Sequence, residues 1–398
     1  MQRRKFIKQA TILAGGVLLK GPNNSLINSG STSNLIKIDE PFHGAILNYH
    51  HGVKTDGGLK IKVRGEAPLG SKVSVNGITA IRNGAKYEAE VVLREAETDI
   101  TAKVEGLFGQ NSQSVRVVWD KNSIPRYRVV INNNIFFLRD IAWNNYDSLF
   151  DSFFLKRLQE LNQKYGAKFI LNIFYTDGLE FTSVDAEEFE LTEFSDKYKK
   201  EWEDNSDWLK LAFNGYSNKP DRPYQFAEPK KLIQDLNKVK EQILRFAGPK
   251  TYTPPVAVHW AMAQQSAIPE LAKEGTTNLS GKFGLVNGKW DINYLLDDIQ
   301  SEHISRNDAL MDFKSNIAYI KMDLTINNTP INEIEPALKE LADNPYRSEI
   351  MNIFTHEQYF WPFYINYIPD HFDRVETAVR WLTENKYKPV LFSEDFLA

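Results

Sequence analysis

The side chains in this 398-residue chain best suited to chemistry are few and lie in its second half: His259, Asp323 and the adjacent pair His356-Glu357. Histidine beside carboxylates is the composition of general acid–base catalysis, and His356, Glu357 and Asp323 are the catalytic candidates on that ground. The chain has no cysteine, which removes thiolate nucleophiles, disulfides and Cys-ligated zinc. A divalent metal such as zinc would have to use His259 and His356, with help from carboxylates or amide oxygens. Aromatic residues offer faces for sugar rings: Tyr359 and Trp361 in the run 359–364, together with Tyr216, Trp260 and Trp143. Each of these has a structural alternative. A strand-end His is often a satisfied core residue, the run 359–364 would equally seal one end of the fold, and Asp323 would equally cap the turn at Asn327 and Asn328.

Other groups carry less. Arg139-Asp140 reads as an internal ion pair, and Glu394-Asp395 as solvated terminal residues. His50-His51 as neighbours on a strand would point to opposite faces, which makes them poor joint ligands. Dinucleotide, Walker A, H-E-x-x-H and G-x-S-x-G patterns do not occur at strand-to-helix junctions, which disfavours the common nucleotide enzymes and serine hydrolases.

Two textures of sequence must position these residues. Over about 40–125, apolar residues alternate in short runs separated by turn dipeptides such as Asn76-Gly77, which predicts a small all-β sandwich of the immunoglobulin-like kind. From 126 to 398, apolar runs at 129–135, 169–174, 209–213, 256–260, 317–324, 350–354 and 390–392 alternate with stretches of helical period, such as Leu232, Leu236, Val239 and Ile243. Continuous apolar strands between helices predict a parallel sheet buried on both faces, here an α/β fold of the (β/α) barrel type with seven or eight units. In such folds the chemistry sits at the C-terminal strand ends, where Asn132, Asn133, Asn214, His259, Asp323 and His356 fall.

The segments 153–174, 208–215 and 354–359 together resemble exported polysaccharide-deacetylase-like barrels, over about 127–395. In that superfamily the first barrel strand ends in paired Asp residues: one is the base on a metal-bound water, and the other binds the metal together with His residues. The resemblance puts Asn132 and Asn133 at those positions, and Asn214 where relatives carry His. An amide cannot ionise and is a weaker cation ligand than a carboxylate, so all three are reassigned to substrate binding. The resemblance thus implies either a carbohydrate-active hydrolase with a non-standard site or an inactive barrel that binds glycan. A polysaccharide or oligosaccharide is the expected partner in both cases.

The first 35 residues read as address and linker rather than fold. Arg3-Arg4-Lys5-Phe6 precedes an apolar run containing Gly15 and Gly16, the pattern of a twin-arginine signal, and this predicts export to the periplasm or beyond. Removing Arg3, Arg4, Lys5, Lys8 and Lys20 takes the formal charge from −4 to −9. An acidic chain with no long apolar stretch after the signal predicts neither a nucleic-acid nor a membrane partner for the mature form.

Overall fold

The computed structural model describes residues 35–106, 109–178, 188–392 and 394. Residues 1–34, on which the expectation of a signal rests, and Ser393 and Asp395 lie outside them. No helix among the described residues is long and apolar enough to cross a membrane.

The alternating segment forms two five-stranded sheets. One runs Lys37–Glu40, Gly58–Glu66, Lys86–Leu93 and Ile81–Asn83, with Val53–Thr55 paired to Gly58–Glu66. The other runs Ile46–Leu47, Gly109–Trp119, Glu97–Gly106, Lys72–Val75 and Ile78–Thr79. Period two sends Leu59, Ile61, Val63, Tyr87, Ala89 and Val91 from the first sheet into the same core as Val73, Val75, Ile100, Ala102 and Val117 from the second. Gly44 docks this unit onto the rest of the chain. It sits at φ +86°, its carbonyl accepts the Met311 N–H at 2.8 Å, and a Cβ there would fall 2.3 Å from the Met311 oxygen. His50-His51 belong to the short 3-10 turn Tyr49–His51 rather than to a strand. The His50 ring and the Tyr49 hydroxyl meet Glu349 Oε1 at 3.1 and 2.6 Å, a second tie between the two parts.

The remainder is mixed α/β with several sheets, and no closed barrel forms among the described residues. The main sheet is parallel and six-stranded, in the order Leu209–Gly215, Phe169–Phe174, Arg126–Asn134, Ile350–His356 and Leu324–Thr325, with Lys388–Pro389 also paired to Arg126–Asn134. Nearly every residue of its central strands is buried, because the helices Phe153–Tyr165, Pro229–Phe246, Ile331–Ala342 and His371–Glu384 bring apolar stripes into the same core. Gly166 ends the first of these at φ +70°, donating its N–H to the Asn162 carbonyl. A separate three-stranded sheet follows, Asn278–Gly281, Ile317–Lys321 and Ala309–Asp312, the last antiparallel.

Two seams therefore separate the sheets where a barrel would be continuous. At one, the expected strand at 256–260 is absent. Pro254-Pro255 remove two backbone donors, and the segment bonds only sparsely, through Thr253 N–H to Leu211 O and Ser280 N–H to Val256 O, before turning at His259–Ala261. At the other, the antiparallel strand Ala309–Asp312 lies beside Ile317–Lys321, and the join to Ile350–His356 narrows to the two-residue pairing of Leu324–Thr325 and the Asp323 N–H to Asn352 O at 3.0 Å, with side chains beside them. Asn352 Nδ2 donates to Lys321 O at 2.8 Å, and Asp323 Oδ2 accepts the Asn352 N–H at 2.9 Å.

Candidate functional site

Over the C-terminal ends of the parallel strands lies a cavity of about 430 Å³. It gathers several residues singled out in the sequence: Asn132, Asn133, His259, Trp260, His356 and Tyr359. The first strand reaches it through a bulge. Its register against Phe169–Phe174 shifts between Ile131 and Asn134, and Asn133 takes φ +60°, a left-handed conformation that Asn tolerates better than most residues. The strand-end amides then form a ladder: Asn172 Nδ2 donates to Asn132 Oδ1 at 2.6 Å, and Asn214 Nδ2 donates to Asn133 Oδ1 at 2.9 Å. Asn214 is thus part of the support beneath the cavity and does not line it. These four strand-end side chains are neutral amides, bonded in two pairs.

Both cavity histidines are held neutral. His259 packs its ring against Phe174 and lies 3.1 Å through Nε2 from Asn218 O. Since the carbonyl only accepts, Nε2 carries the proton and Nδ1 is left as acceptor. Burial brings its pKa down to about 4. His356 sits edge-on to Phe354, with Nδ1 3.3 Å from Asn327 Oδ1, and burial followed by His259 brings its pKa down to about 3.

Glu357 does not reach the cavity. Its carboxylate is fully buried and accepts four donors: Ile135 N–H at 2.7 Å, Phe136 N–H at 2.9 Å, Phe137 N–H at 2.6 Å and the Trp361 indole at 3.0 Å. The helix Phe136–Asn144 has no side-chain cap at Ile135, and Glu357 supplies that service from 220 positions away. Burial pushes this carboxyl up to about 7, and the four donors oppose that rise. Asp323 is likewise committed. It pairs with Arg347 at 2.6 Å and caps no turn at Asn327 or Asn328. Trp361 corrects the expectation of a sugar platform: buried, it packs edge-to-face on Phe136 and Phe153. Tyr216 stacks on Tyr175 at 5.1 Å, under the Lys238 ammonium, and does not line the cavity. Arg139 pairs with Asp177 at 2.6 Å, not with Asp140.

The residues present do not fit a catalytic divalent metal. Among the described residues no group of three or more His, Asp or Glu is arranged to hold one. One ring nitrogen of each cavity histidine is already bonded to protein oxygen, and the positions that would add carboxylates carry amides.

Several cavity residues gave no signal in the sequence. Asn218, Lys219 and Asp221 lie in an irregular loop after Leu209–Gly215, Lys282 follows the short polar strand Asn278–Gly281, and Gln358 sits between Glu357 and the aromatic run. Gln358 Oε1 is buried without a partner among the described residues, leaving an acceptor to be satisfied at the cavity wall. Trp260 is 37% exposed at φ +65°, with the Arg222 guanidinium 5.2 Å from its ring centre. Arg222 is in turn bidentate to Asp291, at 2.6 Å for each bond. Left-handed backbone at Asn133, Trp260, Ala261 and Ile292 concentrates strain around one opening.

No protein family matches this chain, and no curated protein matches it. Solved structures to which it is similar include a CE4 family pseudoenzyme from Bacillus anthracis, at 9% identity and a TM-score of 0.35, covering 70% of this chain and 66% of that one. This chain therefore spans just under two thirds of the pseudoenzyme. A multi-modular cell-surface chitinase from Paenibacillus shares 10% identity at a TM-score of 0.28, over 89% of this chain and 43% of that one. For a putative alpha-galactosidase from Bacteroides fragilis the values are 9% and 0.26, over 88% and 78%. The functional reading below rests on the cavity.

Proposed function

We propose that this chain is an exported, deacetylase-like protein that binds a carbohydrate in the strand-end cavity and does not hydrolyse it. One observation carries the reading: the carboxylates that could serve as acid or base are each engaged by protein partners, while the wall beside the two histidines is amides, neutral imidazoles and aromatic rings. Glu357 caps a helix, Asp323 pairs with Arg347, and Asp221, in the cavity itself, pairs with Lys219 at 2.8 Å. Amides and imidazoles offer donors and acceptors in pairs, which is what sugar hydroxyls require, and Trp260, Tyr359 and Tyr364 offer apolar faces. In this reading the two-sheet unit over 40–125 is an immunoglobulin-like support.

Glycan arrays followed by calorimetry test the proposal. A saccharide ligand is expected, and Trp260→Ala should weaken it about tenfold, roughly 1.4 kcal/mol. No acetate and no reducing ends should be released from acetylated or plain oligosaccharides; turnover that disappears in His356→Ala would overturn the binding assignment.

The depressed histidines add a pH prediction. His259 and His356 lose their charge only above about 4 and about 3, so neither changes state between pH 5 and 8. Affinity measured by titration across that range should stay flat, whereas an inflection near 6.5 would mean that at least one imidazole titrates normally.

A further inference from the structure

We infer that the saccharide taken by this cavity carries a carboxylate, as the uronic acids do, and that Lys282 at the rim pairs with it. The inference rests on the glycan-binding reading of the same cavity.

Three charged residues line the cavity: Lys219, Asp221 and Lys282. Asp221 is answered by Lys219, so the wall keeps one positive charge in excess. Lys282 is exposed, and its ammonium has no ion-pair or hydrogen-bond partner among the described residues. Its charge acts weakly on Asp291, which is already taken by both arms of Arg222.

The backbone that presents Lys282 is pinned on both sides. Its N–H and that of Phe283 both donate to Ile292 O, at 2.9 and 3.3 Å, and its own carbonyl accepts the Lys321 ammonium at 3.2 Å. Phe283 and Ile292 hold φ +44° and +53°, conformations that cost a bulky or β-branched residue on the order of 1 kcal/mol or more. This root carries the hairpin Gly284–Val286 and Lys289–Asp291, which Arg222 ties to the loop bearing Asn218 and Lys219, while the same guanidinium rests on Trp260. The cation, the loop and the aromatic face are therefore held together before any ligand arrives, which lowers the ordering cost of binding. A neutral sugar could use the ammonium only as a hydrogen-bond donor to hydroxyls, whereas a carboxylate adds charge pairing. A single compact ammonium beside neutral amides suits one carboxylate on a polyhydroxyl ring.

The test is calorimetric titration of the whole protein with galacturonate, glucuronate and mannuronate oligosaccharides, each beside its methyl ester, which keeps the skeleton and removes the charge. At least one free acid should bind about tenfold more tightly than its ester, and that advantage should shrink as salt rises from 50 to 300 mM, as an exposed ion pair requires. Lys282→Gln should erase the advantage and Lys282→Arg should keep it. Equal binding of acid and ester, an advantage that survives Lys282→Gln, or preference for sulfated oligosaccharides over all uronates would each overturn the inference while leaving the glycan reading intact. Absence of binding to any saccharide, charged or neutral, would overturn both.

Discussion

Arg347→Met should destabilise the protein by about 3–5 kcal/mol at pH 7.5, the usual result of stripping the partner from a buried charge. Arg347 is the hub of the polar cluster beside the narrow seam. Its Nη2 bonds Asp323 at 2.6 Å and its Nε bonds Asp308 at 3.1 Å, and both carboxylates are almost wholly buried. Burial raises both carboxyls even with the guanidinium present, and at Asp308 the Asp323 charge adds to the rise. Without Arg347 the two acids face each other unpaired, and both pKa values climb further. A carboxyl whose folded pKa exceeds its unfolded value holds its proton better when folded. It contributes stability that is fully present below the unfolded pKa and is lost as pH rises through the folded one. The variant's deficit should accordingly be large at pH 7.5 and smaller at pH 5. Urea midpoints of both proteins at both pH values measure this, and equal midpoints at pH 7.5 would show that the seam does not depend on Arg347. The triple variant Asp308→Asn, Asp323→Asn, Arg347→Met should recover much of the loss, because it leaves no unpaired charge.

Glu357→Gln is the second large effect, at about 3 kcal/mol. Four donors converge on this carboxylate, two on each oxygen. An amide keeps one oxygen and turns an NH2 toward the remaining two donors, leaving buried groups unsatisfied at about 1–3 kcal/mol each. The loss of a negative charge at the start of Phe136–Asn144 adds to this. Hydrogen exchange localises the effect: the amides of Ile135, Phe136 and Phe137 should lose protection together, ahead of those in Phe169–Phe174. Unchanged protection would mean that the helix start is held by something other than Glu357.

How much of this could be read from the sequence depended on whether the cause was local. The strand at 169–174 appears as read, because a short, nearly continuous apolar run between helical stretches suits a strand covered on both faces. The run 256–260 is also short and largely apolar, yet Pro254-Pro255 hinder pairing and the chain crosses a seam there instead. Asn278–Gly281 was missed because a four-residue strand of sequence Asn-Leu-Ser-Gly has no apolar period to detect. At the site, residues at the ends of long strands were legible: Asn132, Asn133, His259 and His356 do surround one cavity. The partners that set their chemistry were not. Nothing in His356-Glu357 distinguishes a catalytic carboxylate from a helix cap until the fold brings the amides of 135–137 to it. Lys282 owes its position to hairpin geometry that neither composition nor periodicity encodes.

The seams have a mechanical meaning. A continuous ring of backbone hydrogen bonds resists widening in the way a hoop does, and its bore is fixed by strand number and tilt. Here the hoop is thinned at two seams, and at one the tension falls on a two-residue ladder reinforced by Asn352, Asp323 and Arg347. The bore at the strand ends thus depends in part on side chains that single substitutions can lengthen, shorten or uncharge, so its calibre can change while the longer strands stay in register.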